Sequence, residues 1–531
     1  MVNKSRKTPS PNSDSITSSI INNPELIFGI VGPIGVDLDP VISGLKSCLK
    51  DVDYNSHLIH ITDHMQTPLI RNKIDESSYF RKYMSLIKYA NAYRKKARHK
   101  AALAGLSVFH IRKIRGEISS SPTEPALGNA FIIRQFKRPE EISLMRRVYG
   151  RKFIQISVYG GELDRRAMLM QKIQSHDPSP KSDSDCESQA ITLIDVDNNQ
   201  IDDDNGQRIS DVFHLGDVFV DGIDSETAYK TIKRFIRAFF GDNTVSPNKD
   251  EYGLYTATAS ALRSVDLSRQ VGAAIFSDRA EVISLGCNEV PRAGGGTYWT
   301  DDESPLFRDV ERENDANQLR KIEIIYDLVE RLSSEKYLTR TLTRTSEIQE
   351  YVDQLLDNAR IKEAQIMDII EYGRMIHAEM SAICDASRLG RSTIGATLFC
   401  TTFPCHLCAK HIVAAGINRV VFLEPYPKSY AKKLHNDSIT FDPKDVGKVL
   451  FQAFIGISPR RYRDIFEKRK RKDDQGKLKI WYEDEPTPMI EDRSSAYIEN
   501  EAPFAVVALG KLYGSQPQGP TPPHPSRRGA R

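Results

Sequence analysis

Nowhere does the chain hold a run approaching the ~18 consecutive apolar residues that a membrane-spanning helix requires. Its opening residues, MVNKSRKTPSPNSDS, lead into Ser, Asn and Pro where a secretory signal would place an apolar segment. A soluble, cytoplasmic protein with no membrane partner is expected. An excess of one charge is also missing: 74 Lys and Arg stand against 71 Asp and Glu, leaving +3 over 531 residues. That balance gives no sign of the broad basic surface that polymeric nucleic acid demands, so no stable nucleic-acid partner is expected. Local charge would suffice for a small anion. A disulfide framework is lacking too, since the seven cysteines are odd in number and scattered through a large chain. Reduced thiols fit best.

The length predicts two to four domains, with two large ones as the working count. Residues 1–23 and 513–531, rich in Ser, Pro and charge, are expected to be disordered. A polar stretch at 175–189 and 195–206 carries many aspartates but lacks the sixth-position Gly of a calcium loop, and reads as a solvated loop. Around it, ELIFGIVG, AFIIRQF and KFIQISVYG read as buried strands alternating with helices such as DPVISGLKSCLK, the pattern of a parallel α/β domain over 24–245. Gly, Asn and Pro cluster at 241–253 and mark a boundary. The second domain, 246–512, opens with a helix and a hairpin, then carries a helical insertion at 301–371 that makes a homo-oligomer plausible. From 376 it continues helix, strand, helix, strand.

The densest chemistry is TTFPCHLCAKH, 401–411, immediately after Cys400. Cys400, Cys405 and Cys408 follow an iron–sulfur spacing, but Cys400 sits in the apolar strand ATLFCTT and not in a loop. A redox C-x-x-C explains only two residues. A structural zinc would need His406 or His411, and helical geometry turns His411 off the cysteine face. The tie is broken upstream by IHAEMSAI, where His377 offers a neutral nitrogen and Glu379 a carboxylate two positions on. H-x-E, then about 25 residues, then P-C-x-x-C is the zinc-deaminase signature. His377, Cys405 and Cys408 would hold one catalytic Zn2+ with a fourth position left for water, and Glu379 would carry protons.

At these residues the chain resembles the cytidine and deoxycytidylate deaminase superfamily. RSVDLSRQVGAAIFSDRAEVISLGCNEVPRAGGGTYW looks like the deoxycytidylate deaminase pattern RS-x-D, VGA, G-x-N-x-x-P-x-G and a Trp. The resemblance implies that Asn288 contacts the nucleotide sugar, that Arg263 and Ser264 line the phosphate side, and that the backbone of Ala378 and the ring of Tyr426 line the cytosine. Arg269, Arg292 and Lys428 are further basic candidates near these motifs, each read before all as a solvated charge. HAEMSAICDASRLGR, CTTFPCHLCAKHIVAAGI and LEPYPKSYAKKLHND, behind a front half like a P-loop domain, look like the bacterial anti-phage dCTP deaminases. That resemblance implies an N-terminal P-loop-like parallel α/β domain and a C-terminal α/β/α deaminase domain with a mixed sheet. It also implies a deoxycytidine nucleotide as substrate, with water, in a reaction that depletes dCTP.

The front half departs from a working P-loop. FGIVGPIGVDLDP supplies Gly29, Gly32 and Gly35 as nucleotide-binding candidates, yet Asp37 and Leu38 stand where a Lys and a Ser or Thr are required. Arg165 and Arg166 fall where lid arginines of nucleotide kinases would lie. A regulatory nucleotide and a purely structural role both stay open for this domain. The rival functional readings are a polynucleotide cytidine or adenosine deaminase, which should show a basic groove and stacking aromatics, and a nucleotide-sensing regulatory protein.

Overall fold

A computed structural model describes residues 22–512 apart from 178–180, 201–202, 340–343, 363, 427–428, 469, 482–485 and 491–493. Of the ends expected to be disordered, all but 22–23 lie outside the described residues. The chain divides into two compact units, Met1–Ser246 with Ile455–Arg531, and Pro247–Phe454.

In the first unit, β1 (Leu26–Val31), β2 (Asn55–His60), β3 (Asn129–Arg134), β4 (Phe153–Tyr159) and β5 (Val218–Asp221) pair in parallel in the order β5-β4-β1-β3-β2. β1, β3 and β4 are buried almost throughout. Helices cover both faces, which is why these strands are written as continuous Ile, Val and Phe runs and not as alternating ones. One face packs under the helices Tyr79–Ala97, Ala102–Ser119 and Pro139–Tyr149; the other packs under Asp39–Lys50 and Ser225–Phe239.

The second unit is built on β6 (Gly272–Phe276), β7 (Val282–Cys287), β8 (Thr397–Thr402), β9 (Arg419–Glu424), β10 (Ile439–Thr440) and β11 (Val449–Ala453), in the order β10-β11-β9-β8-β6-β7. β6 runs antiparallel to β7 and β8, and the remaining pairs are parallel, so this sheet is mixed as expected. Two glycines let helices approach it closely. A Cβ at Gly272 would lie 2.0 Å from the Ala257 carbonyl oxygen of the helix Lys249–Ala261, and one at Gly286 would lie 2.1 Å from the Ala378 carbonyl oxygen of the helix Ala378–Arg388. The insertion is helical, with Ala316–Ser334 and Thr345–Asp357 closing a small core of their own around Ile325, Val329, Ile348 and Val352.

Two expectations are corrected. Residues 455–512 do not continue the second domain. β12 (Gly456–Ile457) adds antiparallel to β5 on the first sheet, Arg461 donates to Asp217 at 3.0 Å and to the Phe153 carbonyl at 2.6 Å, and the helix Tyr497–Leu509 packs on Ala102–Ser119. The polar stretch read as a solvated loop contains a helix, Asp183–Asn198, capped by Ser182 and burying Cys186, Ala190, Leu193, Ile194 and Asp197. Those five fall on one helical face, and the four apolar ones pack against Ile34, Leu169 and Ile173, a partner that the local composition does not announce.

Candidate active site

Two helix N-termini of the second unit converge to make the site. His377 is the extended residue before the helix Ala378–Arg388, and Cys405 occupies the same position before His406–Ala414. Helix starts leave backbone N–H groups unbonded, and the Cys405 sulfur accepts one of them, from Cys408 at 3.5 Å. That turn brings both cysteines to one side. His377 Nδ1 lies 3.3 Å from Cys405 Sγ and 3.4 Å from Cys408 Sγ, and the three ligand atoms all sit within 4.8 Å of one another. Two sulfurs and an imidazole are a donor set that suits zinc, and the spacings match the roughly 3.5 Å expected between ligands at Zn–N about 2.0 Å and Zn–S about 2.3 Å. These residues fit the ion. Without the ion the Cys405 thiol is pushed down, foremost by the hydrogen bond from Cys408 and then by His377, while Cys408 is pushed well up, so zinc binding would release the protons of Cys408 and His377. His377 rises to about 9, chiefly through its bond to Cys405.

Glu379, the second residue of the first of these helices, is 3 % exposed, and its Oε2 lies 3.5 Å from Cys408 Sγ. Burial raises its carboxyl above the ordinary carboxylate range, the direction suited to a group that must both take and give a proton near neutrality.

Asn288 follows the end of β7. Its Oδ1 accepts the Ala378 N–H at 2.9 Å, while its Nδ2 donates to Asp266 Oδ2 at 3.0 Å and to the Arg269 carbonyl at 3.2 Å. It ties the metal-bearing turn to the segment 264–269. Ala378 is fully buried, with its N–H on Asn288 and its carbonyl against Gly286. Ser264 is also buried, its hydroxyl accepting from the Asp266 N–H. Arg263 stacks on the Trp299 ring at 3.7 Å and donates to Thr297 and to the Tyr298 carbonyl, holding the 290–299 loop. Tyr426 lies half-buried just beyond β9, its carbonyl accepting from the Ser429 N–H. Arg269 pairs with Glu424, Arg292 pairs with Asp302, and Lys428 lies outside the described residues. Asp266, the Asp of RS-x-D, was not singled out from the sequence, and its carboxylate holds Asn288 in place.

The remaining members of the cluster sit elsewhere. Cys400 is fully buried in β8 with its thiol toward the Val421 carbonyl. His411 is exposed, and His406 turns toward Glu371 and the Tyr430 ring. In the first unit, Gly29 gives space to the rings of Phe153 and Phe136, Gly32 to Leu38, and Gly35, at φ +95°, to Arg165.

Comparison with known proteins matches residues 247–424 to the family described as cytidine and deoxycytidylate deaminase zinc-binding region. The second half of the chain carries such a region, and His377, Cys405 and Cys408 are the zinc-ligand set typical of it. ComE operon protein 2 of Bacillus subtilis is 45% identical over 62 residues, 12% of this chain and 33% of that protein. The deoxycytidylate deaminase of Enterobacteria phage T4 is 48% identical over 54 residues, 10% of this chain and 28% of that protein. The human deoxycytidylate deaminase is 24% identical over 212 residues, 40% of this chain and 78% of that protein. The chain spans about a third of the length of the first curated relatives it matches. Among the described residues no helix is long and apolar enough to cross a membrane.

Proposed function

We propose that the chain, carrying a deaminase zinc-binding region in its second half, hydrolyses deoxycytidine nucleotides, dCTP or dCMP, to the deoxyuridine nucleotide and ammonia. The observation that carries this reading is the convergence of His377, Cys405 and Cys408 within 4.8 Å beside the buried Glu379. Zinc held by the three would supply Lewis acidity at neutral pH. Glu379 takes a proton from the attacking water and delivers it to N3 of the cytosine ring as the C4–O bond forms; a second proton passes to the exocyclic amine as the C4–N bond breaks and ammonia leaves. Asn288 holds the Ala378 N–H, and so fixes the turn on which His377 and Glu379 sit. Arg263, braced on Trp299, and Arg269, paired with Glu424, flank Ser264 and Asp266 in sequence and serve the nucleotide phosphates.

The resemblance of HAEMSAICDASRLGR and CTTFPCHLCAKHIVAAGI to anti-phage dCTP deaminases extends the reading to depletion of the dCTP pool during infection, by an enzyme that assembles with its own copies. Purified protein given dCTP, dCMP, CTP or a cytosine-containing oligonucleotide, and assayed for ammonia and uracil products, tests it. Deamination of the deoxynucleotides supports the reading. Editing of the oligonucleotide with the nucleotides left intact overturns it.

A further inference from the structure

Asn288 has no hydrogen left to give a substrate. Its two Nδ2–H groups go to Asp266 and to the Arg269 carbonyl, and its Oδ1 takes the Ala378 N–H. Contact with the nucleotide sugar, which the resemblance assigns to Asn288, needs a neighbour with capacity to spare.

Glu289 is that neighbour. It is 3 % exposed, and its main chain bridges Ile376, the residue before His377, through N–H to carbonyl bonds of 3.4 and 3.0 Å. Its Oε1 accepts the Val290 N–H at 2.8 Å, while its Oε2 is buried with no hydrogen-bond partner. Buried acceptors are almost always paired, so one left open beside a candidate active site is a place for a donor. Burial raises the carboxyl above its ordinary range, and the Val290 N–H, Arg308, the Val265 N–H and Arg263 favour its charged form. Neither cation bonds to it. Arg308 directs Nε and Nη2 to Glu311 and Nη1 to Thr300. Arg263 directs Nη2 to Thr297 and the Tyr298 carbonyl, and its Nε–H is itself buried without a partner. Asp302, a second acid that acts on Arg263, is held by Arg292 and the Trp299 N–H.

An open acceptor and an open N–H, of opposite charge and within electrostatic reach of each other, thus meet at the turn 263–266, to which Asn288 is also bonded. One small group answers both. A hydroxyl donates its hydrogen to a carboxylate oxygen and accepts from a guanidinium N–H on its own oxygen.

We propose that Glu289 reads the substrate's sugar: its Oε2 accepts the hydrogen of a free 3′-hydroxyl, whose oxygen takes the Arg263 Nε–H, while Arg263 Nη1 stays open to the phosphates. The inference rests on the nucleotide deaminase reading and narrows it. A nucleotide inside a polynucleotide has no 3′-hydroxyl hydrogen to give, and its 3′-phosphodiester sets a negative charge against the Glu289 carboxylate. The same oxygen that selects a free nucleotide therefore rejects nucleic acid.

The test uses the full zinc-loaded chain with dCTP and dCMP, their 2′,3′-dideoxy counterparts, and deoxycytidine 3′,5′-bisphosphate. Ammonia release gives kcat/KM, and calorimetric titration of the Glu379→Gln protein gives affinity without turnover. Wild type is expected to favour each hydroxyl-bearing nucleotide over its dideoxy counterpart about 100-fold, because the analogue leaves a buried acceptor unpaired, and to discriminate as strongly against the bisphosphate relative to dCMP. Glu289→Gln keeps the shape and removes the charge, and should cut the preference for the hydroxyl to about tenfold or less while improving the bisphosphate. A merely structural Glu289 would lower every nucleotide alike and leave these ratios unchanged. Far-ultraviolet circular dichroism shows whether the variant is folded, and the wild-type ratio decides if it is not. Equal handling of hydroxyl and dideoxy nucleotides by wild type would make a buried water the partner of Oε2 and overturn the proposal, leaving the deaminase reading in place; wild-type ratios in folded Glu289→Gln would do the same. Neither deamination nor binding of any of these nucleotides would overturn both.

Discussion

Asn288 Oδ1 receives the backbone N–H of Ala378 at 2.9 Å, so a residue at the end of one strand sets the first turn of the helix that carries His377 and Glu379. The bond is buried and joins segments 90 residues apart in sequence. It links the hairpin motif to the metal motif.

Replacing Asn288 by Ala strands the Ala378 N–H and a lobe of Asp266. The expected cost is about 1–3 kcal/mol of stability, with zinc affinity lowered roughly 10–100-fold as the supporting contact goes. Thermal melts and zinc titration with a competing chelator measure the two effects separately.

Gly286→Ala acts on the same turn from behind. A Cβ there would stand 2.1 Å from the Ala378 carbonyl oxygen and 2.6 Å from the Ala382 nitrogen, both backbone atoms, so the helix must move. Displacing Glu379 by even ~1 Å is expected to lower turnover about 100-fold. Ammonia release at saturating nucleotide reads it.

In the first unit, Arg115 is wholly buried between two carboxylates. Its Nε and Nη2 meet Glu25 at 2.7 and 2.8 Å, and its Nη1 meets Glu501 at 2.5 Å. Tyr497 adds its hydroxyl to Glu25 at 2.6 Å. Arg115→Met leaves Glu25 without a cation and Glu501 with Arg112 alone, and a loss of about 3–5 kcal/mol is expected, with release of the helix Tyr497–Leu509. Denaturant unfolding and proteolysis after residue 490 check it.

That clasp also marks what the sequence conceals. The strands β1, β3 and β4 were legible because burial on both faces writes them as unbroken apolar runs. The site was legible because helix starts position ligands by local spacing: two cysteines three apart, and an H-x-E turn. Nothing local told that residues 455–512 return to the first unit, since Arg461 and Glu501 are ordinary charged residues until Asp217 and Arg115 meet them in space. The helix Asp183–Asn198 was hidden for the same reason. Its polar face dominates the composition, and Asp197 reads as one more solvated acid although it is 1 % exposed.

His110 stacks on His64 with ring centroids 3.9 Å apart, and burial, with His64 and Lys113 adding to it, pushes its pKa down to about 4. Between about pH 6.5 and pH 4 the unfolded chain binds a proton at this residue that the folded chain does not, so stability falls as pH drops through that window. His110→Phe should flatten this part of the curve. Melting temperatures at pH 4.5 and 7 compare the two proteins.

His377, Cys405 and Cys408 are expected to hold one zinc while Glu379 moves the protons. The most direct measurement is ammonia release from dCTP and dCMP by wild type and Glu379→Gln at equal zinc content. One zinc in each protein, deamination by wild type and a loss of roughly 100-fold or more in the variant are expected. A variant as active as wild type, or a fully zinc-loaded wild type that deaminates neither nucleotide, would contradict it.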